Sequence, residues 1–362
     1  ASVSQLHGAG REREIGPLFR QALWLALGLG LALFFVVRGG AVALEPLGIT
    51  ADARPEAEAF LRAISWGAPA LALYFCLRNL SEGIAWTQPT MVFGIAGLVL
   101  LAPLGWALMF GLQLGAAGLG YAVAITLYCQ TVALWIYLWR SPRFADLQLF
   151  ARFEPPRWAP IRELLALGLP MGVSVFMEGS LFVATALLIG TLGTTQMAAH
   201  QIAILIASLC FMVPLGVAMA TTVRVGHAVG AGDLPGVRWS AAAGFSLAMI
   251  AQTLSALVLV VGATWLASLF TADPAVIALA SLLMAYAAVF QYPDGLQALS
   301  AGSLRGLKDT RVPMVITVLA YWGFGLPLGA WLGISQGQGA PGLWTGLILG
   351  LSVAATLLGW RF

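Results

Sequence analysis

Charge is what this sequence has least of. Only 9% of its 362 residues are Asp, Glu, Lys or Arg, against about 25% in a soluble globular domain. So few charges cannot coat the water-facing surface of a chain this long, which excludes a soluble enzyme. A single lysine stands beside 17 arginines and the net charge is +3. That gives no basic patch of the kind nucleic acid requires, so nucleic-acid binding is excluded too. Cys76, Cys129 and Cys210 are unpaired in spacing, which leaves neither a disulfide framework nor a CxxC metal or redox site. They are expected to be small buried hydrophobes. The three histidines lack metal-ligand spacing, and the chain contains no Ser/His/Asp set, HExxH, P-loop or glycine-rich dinucleotide fingerprint. The sequence therefore reads as a non-enzyme without a cofactor.

What it has instead is apolar length. Hydrophobic residues make up 60% of the chain and fall in blocks of about 20 or more, the length a helix needs to cross the hydrocarbon core of a bilayer. The blocks are apolar on every side, whereas barrel strands alternate. The expected fold is an all-α polytopic membrane protein with ten visible spans, near 18–37, 60–80, 90–111, 116–139, 161–190, 198–222, 238–264, 275–303, 312–333 and 341–360. Alternate connections then collect fifteen basic residues on one side and only Arg38, Arg54 and Arg62 on the other. Positive charge in short loops stays cytoplasmic, so both visible termini are expected there, in a plasma (inner) membrane. Six tryptophans, from Trp135 to Trp360, fall near span ends, where an amphipathic ring prefers to sit.

The chain repeats itself. Thr50 to Asp52 recurs as Thr271 to Asp273, Thr87 to Met91 as Thr310 to Met314, Pro103 to Gly105 as Pro327 to Gly329, and Gly115 to Gly118 as Gly339 to Gly342, at offsets between 221 and 224. Gly8 to Gly10 likewise matches Gly230 to Gly232. Two homologous lobes of six helices each are expected. The boundaries are 1–139 for a first lobe showing four helices, 140–160 for a proline-rich cytoplasmic linker, and 161–362 for a complete second lobe. By this arithmetic the first lobe lacks its first two helices, and a chain of twelve is expected.

Two acids lie deep in apolar spans, Glu178 and Asp294. An ionisable group at mid-bilayer costs roughly 2.5 to 3.5 kcal/mol on insertion scales, so each is a functional candidate. Ser174 stands one turn before Glu178, and Gln291 and Gln297 flank Asp294 at i−3 and i+3, so each acid is expected to find a polar partner on its own helix. Pro293 has no N–H and frees the Val289 carbonyl for a cation or water. The bland alternative is a pair of permanently protonated acids that hydrogen-bond neighbouring helices. His200 reads as an interface hydrogen-bonder and Met171, Met177, Met212, Met219 and Met284 as packing. Gly168 to Gly172, Gly325 to Gly329 and Gly346 to Gly350 are small-xxx-small patterns for close helix approach.

Four segments carry a family likeness: Phe176 to Phe182 around Glu178, Ala198 to Ile202, Val213 to His227, and Gly302 to Thr310. They resemble the multidrug and toxic compound extrusion (MATE) family in its NorM-like branch, over the whole chain and most strongly from Ile161 onward. The resemblance implies a twelve-helix antiporter that expels cationic or amphipathic small-molecule drugs against sodium or protons. It implies that Glu178 and Asp294 form the cation site of the second lobe, with sodium or a proton as coupling ion. Where sodium-coupled relatives often carry a tyrosine, one turn before the aspartate, this chain has Phe290, which offers no oxygen ligand and shifts weight to protons. Partners are then the drugs and the lipid bilayer, and a monomer is expected. Two alternatives stay open: a lipid-linked saccharide flippase of the wider superfamily, which would want a cavity lined with basic residues, and a truncated fragment that does not transport.

Overall fold

The computed structural model describes residues 1–44 and 54–362, all as helices and short connections. The Thr50 to Asp52 member of the repeat lies outside the described residues. Two compact units emerge, Ser2–Leu164 and Leu165–Phe362. Among the described residues, nine helices are long and apolar enough to cross a membrane, or ten if one bent pair counts as a single span.

The first unit runs through α1 (Ser2–Gly8), α2 (Ile15–Gly39), α3 (Arg54–Ser65), α4 (Ala68–Gly83), α5 (Gln88–Trp106) and α6 (Gly115–Arg140). The span expected at 60–80 is in fact broken. α3 and α4 meet at 44°, because Pro69 has no N–H to extend the ladder and Trp66 and Gly67 bond back only three residues, to Ala63 and Ile64. Ile15, Phe19, Leu77, Leu80, Leu134, Leu138 and Phe144 form the core of this unit. A polar clasp closes it. Buried Arg20 donates to the Gln148 carbonyl at 2.7 Å and to Glu154 at 2.8 Å, Trp24 donates to the Glu154 carbonyl, and Gln21 bonds Pro155 and Arg157 through both ends of its amide. The linker segment is thereby fastened to α2. The Arg20 guanidinium beside Glu154 holds that carboxyl below its ordinary range, with Arg152 adding to the effect.

The second unit comprises most of α7 (Trp158–Gly190), then α8 (Thr194–Gly230), α9 (Leu234–Val261), the short α10 (Ala263–Ser268), α11 (Pro274–Gly306), α12 (Arg311–Val318), a π-helical segment Leu319–Gly325, α13 (Leu326–Ala330) and α14 (Ala340–Arg361). Asp233 and Asp273 cap α9 and α11 by accepting from the Gly236 and Ala275 amides. α11 is the central helix: 18 of its 33 residues are buried, and it packs on α8, α9 and α14. α7, α8 and α11 each run through an internal proline.

Glycine decides one interface. Gly325, Gly329 and Gly333 face Gly350, Gly346 and Gly342 on α14, backbone against backbone; a Cβ on Gly342 would sit 2.6 Å from the Gly333 nitrogen, and one on Gly350 2.9 Å from the Gly325 Cα. Two of the three small-xxx-small patterns therefore bring helices together. The third does not: a Cβ on Gly168 or Gly172 meets nothing within 4 Å, since that face of α7 is open. The cysteines also depart from expectation. Cys129 is exposed and only Cys76 and Cys210 are partly covered, because a thiol facing lipid has no more need of burial than an alanine.

Candidate functional site

Glu178 and Asp294 converge. They project from α7 and α11 into one cavity of about 190 Å³, walled by Phe182, Ile204, Ala207, Ser208, Phe211 and Phe290. Glu178 also lines a second cavity, of about 340 Å³, shared with Ser174, Gln297, Arg305, Asp309 and Thr317. One carboxylate thus stands between a smaller chamber with three phenylalanine walls and a larger cavity that reaches Arg305 and Asp309. Asp294 is the deeper acid at 3% exposure, and its Oδ1 has no hydrogen-bond partner. A buried carboxylate oxygen left bare is costly unless a proton or cation meets it.

The polar neighbours are present but not paired as the spacing predicted. Ser174 turns its hydroxyl back to the Pro170 carbonyl at 3.0 Å, the usual fate of a serine inside a helix, and does not serve Glu178. Gln291 donates to the Ala207 carbonyl of α8 at 3.2 Å, which ties α11 to its neighbour and leaves Asp294 unserved. Gln297 lines the larger cavity together with Glu178 of α7, and Asp294 does not line that cavity. Val289, whose carbonyl Pro293 was expected to free, has its side chain exposed at 56% while Asp294 is buried, so the two residues occupy different faces of α11.

Phe290 is packed and not a ligand. Its ring stands edge-on to Phe182 at 6.0 Å and to Trp344 at 5.8 Å, forming a dry wall beside Asp294. Behind it, Trp344 donates from its ring N–H to His200 Nδ1 at 3.2 Å, fully buried, the interface role read for this histidine.

Three buried or cavity-lining polar residues of the second unit went unnoticed in the sequence. Gln252 of α9 is fully buried and inserts its amide against α11, donating to the Gln291 carbonyl; Gly295 leaves the room, because a Cβ there would collide with that amide. Tyr321 of the π-helical segment is fully buried and its hydroxyl has no partner. Arg305 lines the larger cavity and lies within electrostatic range of Glu178. A glutamine in mid-span was a legible signal for Gln252. Arg305 was counted as a loop charge, and Tyr321 carries no signal in the sequence that sets it apart. On α11 the Asp294 Oδ1 and the Oε1 atoms of Gln291 and Gln297 are buried without partners, as is Oε1 of Gln252, whose amide packs against that helix. Among the described residues no group of three or more His, Cys, Asp and Glu gathers as a metal cluster, so a cation held here would have to be met by neutral oxygens beside one or two carboxylates.

Comparison with known proteins gives this geometry its context. The MatE family model matches residues 1–107 and 170–331. The chain is 58% identical over 366 aligned positions to the probable multidrug resistance protein NorM of Xanthomonas campestris pv. campestris, covering all of this chain and 80% of that protein. The chain belongs to the MATE family, in its NorM-like branch. A second relative, the multidrug resistance protein PmpM of Pseudomonas aeruginosa, is 41% identical over 99% of this chain and 77% of its own length. The fold is that of solved MATE structures: the eukaryotic MATE transporter AtDTX14 superimposes with a TM-score of 0.90 at 19% identity, covering 99% of this chain and 80% of that one. A MATE structure in a straight conformation gives 0.89 at 19% identity, with the same coverage. This MATE chain is therefore a multi-pass helical membrane protein of a transporter family.

Proposed function

We propose that this chain exports small cationic or amphipathic drugs across a bacterial inner membrane by antiport against a proton or a sodium ion. Its multidrug-resistance relatives support the substrate class, with identities up to 58%. The observation that carries the coupling mechanism is the convergence of Glu178 and Asp294 on one cavity of about 190 Å³. Two carboxylates that share a low-dielectric chamber repel when both are ionised, so a cation entering there is held strongly and its departure is felt by the helices around it. α7 and α11 supply the two acids, and occupancy biases which side of the membrane the drug path faces. Coupling arises because ion and drug prefer different states; a ligand with equal affinity for both would shift nothing.

The proposed division of labour follows the repeat: lobe 1–139, linker 140–160 and lobe 161–362, with both visible termini in the cytoplasm, where fifteen of the eighteen basic side chains gather. The acids sit in the second lobe. The test is ethidium uptake into inverted vesicles, driven in turn by a proton gradient and by a sodium gradient, for the unaltered chain, Glu178→Gln and Asp294→Asn. Loss of gradient-driven uptake in both variants is the expected result. Unchanged coupling in both would remove the acids from the mechanism.

A further inference from the structure

A groove of about 360 Å³ lies between α8 and α9, and it shares no lining residue with either cavity beside Glu178. The two helices pack on one another across a three-residue connection, so they run antiparallel and their facing residues follow in reverse order. Gly244 sits against Thr221 and fixes that register. Near the connection the groove is lined by Arg224, Trp239 and Ser240. Ala220 and Ala243 follow, and Val217 and Leu247 line the far end. The order is cation and indole first, then bare hydrocarbon. α8 has 37 residues and a length of about 55 Å, against about 30 Å of hydrocarbon, so its ends stand in the headgroup region. Trp239 is exposed, as an indole at that depth should be. Arg224 is exposed as well. Several other arginines are paired with carboxylates, but Arg224 makes neither an ion pair nor a hydrogen bond among the described residues. The acid of the connection, Asp233, caps α9 and does not line the groove. Arg238 adds a second positive charge from the adjoining cavity, which Trp239 also lines.

We propose that this groove binds one anionic phospholipid, its phosphate on Arg224 and an acyl chain laid along the small residues toward Val217 and Leu247. The charge selects the occupant. A guanidinium near a helix end snorkels to the phosphate level, where it meets a phosphate oxygen with a charge-assisted hydrogen bond. Basic pockets between membrane helices hold anionic headgroups by the same means. An organic cation of the class proposed for export is repelled by Arg224 and Arg238, so the groove is not a second drug site. The alanines matter because a side chain larger than a methyl group would fill the trough that the acyl chain occupies. The lipid thereby bridges α8 and α9 on the open flank of the unit.

The experiment is native mass spectrometry of the purified, delipidated chain in detergent, titrated in parallel with dioleoylphosphatidylglycerol and dioleoylphosphatidylcholine. In detergent the result does not depend on which way the chain faces in the membrane. The unaltered chain should take up one phosphatidylglycerol in clear preference to phosphatidylcholine. Arg224→Gln should weaken the phosphatidylglycerol adduct about fivefold, the worth of one arginine at an anionic surface, and leave phosphatidylcholine unchanged. Ala243→Phe keeps every charge and fills the trough, so it too should weaken the adduct. Both positions are exposed, so neither change disturbs the packed interior. The control is Arg140→Gln, an exposed arginine at the end of α6 and outside the groove, which should bind as the unaltered chain does. Glycerol 3-phosphate at the same concentration, a headgroup without chains, should not displace the lipid. Equal uptake of the two lipids by the unaltered chain overturns the proposal, as does equal behaviour of Arg224→Gln and Arg140→Gln. Unweakened binding in Ala243→Phe, or displacement by glycerol 3-phosphate, would reveal attraction by charge alone and overturn it as well.

Discussion

Replacement of Gly346 by alanine tests the packing on which the site depends. The methyl group would have to enter a seam in which backbone already touches backbone: the ideal Cβ collides with Gly329, and a Cβ on neighbouring Gly350 or Gly342 would stand only 2.9 Å or 2.6 Å from Gly325 or Gly333. Ordinary carbon–carbon contact lies near 3.5–4.0 Å, so α14 and the segment from Leu319 to Ser335 must part by about 1 Å. Neither side can yield by rotating a side chain, since both contacting atoms belong to the main chain. Overpacking of this kind costs about 1–3 kcal/mol, and a chain of this size loses about 1–2 °C in Tm for each kcal/mol. The assay is thermal unfolding of purified protein in detergent, with Gly172→Ala as control. Gly172 also lies inside a helix, but a Cβ there meets nothing within 4 Å. Removing a helical glycine in open space stabilises by up to about 1 kcal/mol, so the two substitutions should move Tm in opposite directions. Equal shifts, or a stabilised Gly346→Ala, would show that the glycine seam does not hold these helices at contact distance.

Other consequences are open to measurement. Gly295→Ala should expel the Gln252 amide from its slot on α11 and break its bond to the Gln291 carbonyl; gradient-driven dye transport is expected to fall several-fold, and Gln252→Ala should partly restore it by making room. Trp344→Phe leaves His200 Nδ1 without its donor, at a cost of about 1–3 kcal/mol that unfolding should register. The clasp on α2 should be acid-labile. Arg20 holds the Glu154 carboxyl below its ordinary range, so the stabilisation is complete above the ordinary carboxylate pKa and is lost as pH falls through the depressed folded value. Unfolding followed between about pH 6 and pH 2 should show that loss in the unaltered chain and a flatter profile in Arg20→Gln.

Composition and block length determined a good deal. Ten apolar runs and their breakers placed the helices, since a bilayer dictates both the length and the apolarity of anything that spans it. A mid-span acid is conspicuous in any linear reading, which is how Glu178 and Asp294 were found without coordinates. The tertiary structure decided what those acids face. Periodicity assigns neighbours along one helix, and so it paired Ser174 with Glu178 and Gln297 with Asp294; in the folded chain Ser174 satisfies its own backbone and Gln297 lines a cavity with Glu178 of α7. Gln252 comes from a helix about 40 residues before Asp294 in sequence, and nothing local to it announces that its amide packs against α11. The break at Trp66 and Gly67 and the vacant face around Gly172 were settled in the same way. Hydrophobicity fixes which segments enter the membrane, but which side chains meet there depends on how the rods cross, and that is decided by contacts between residues distant in sequence.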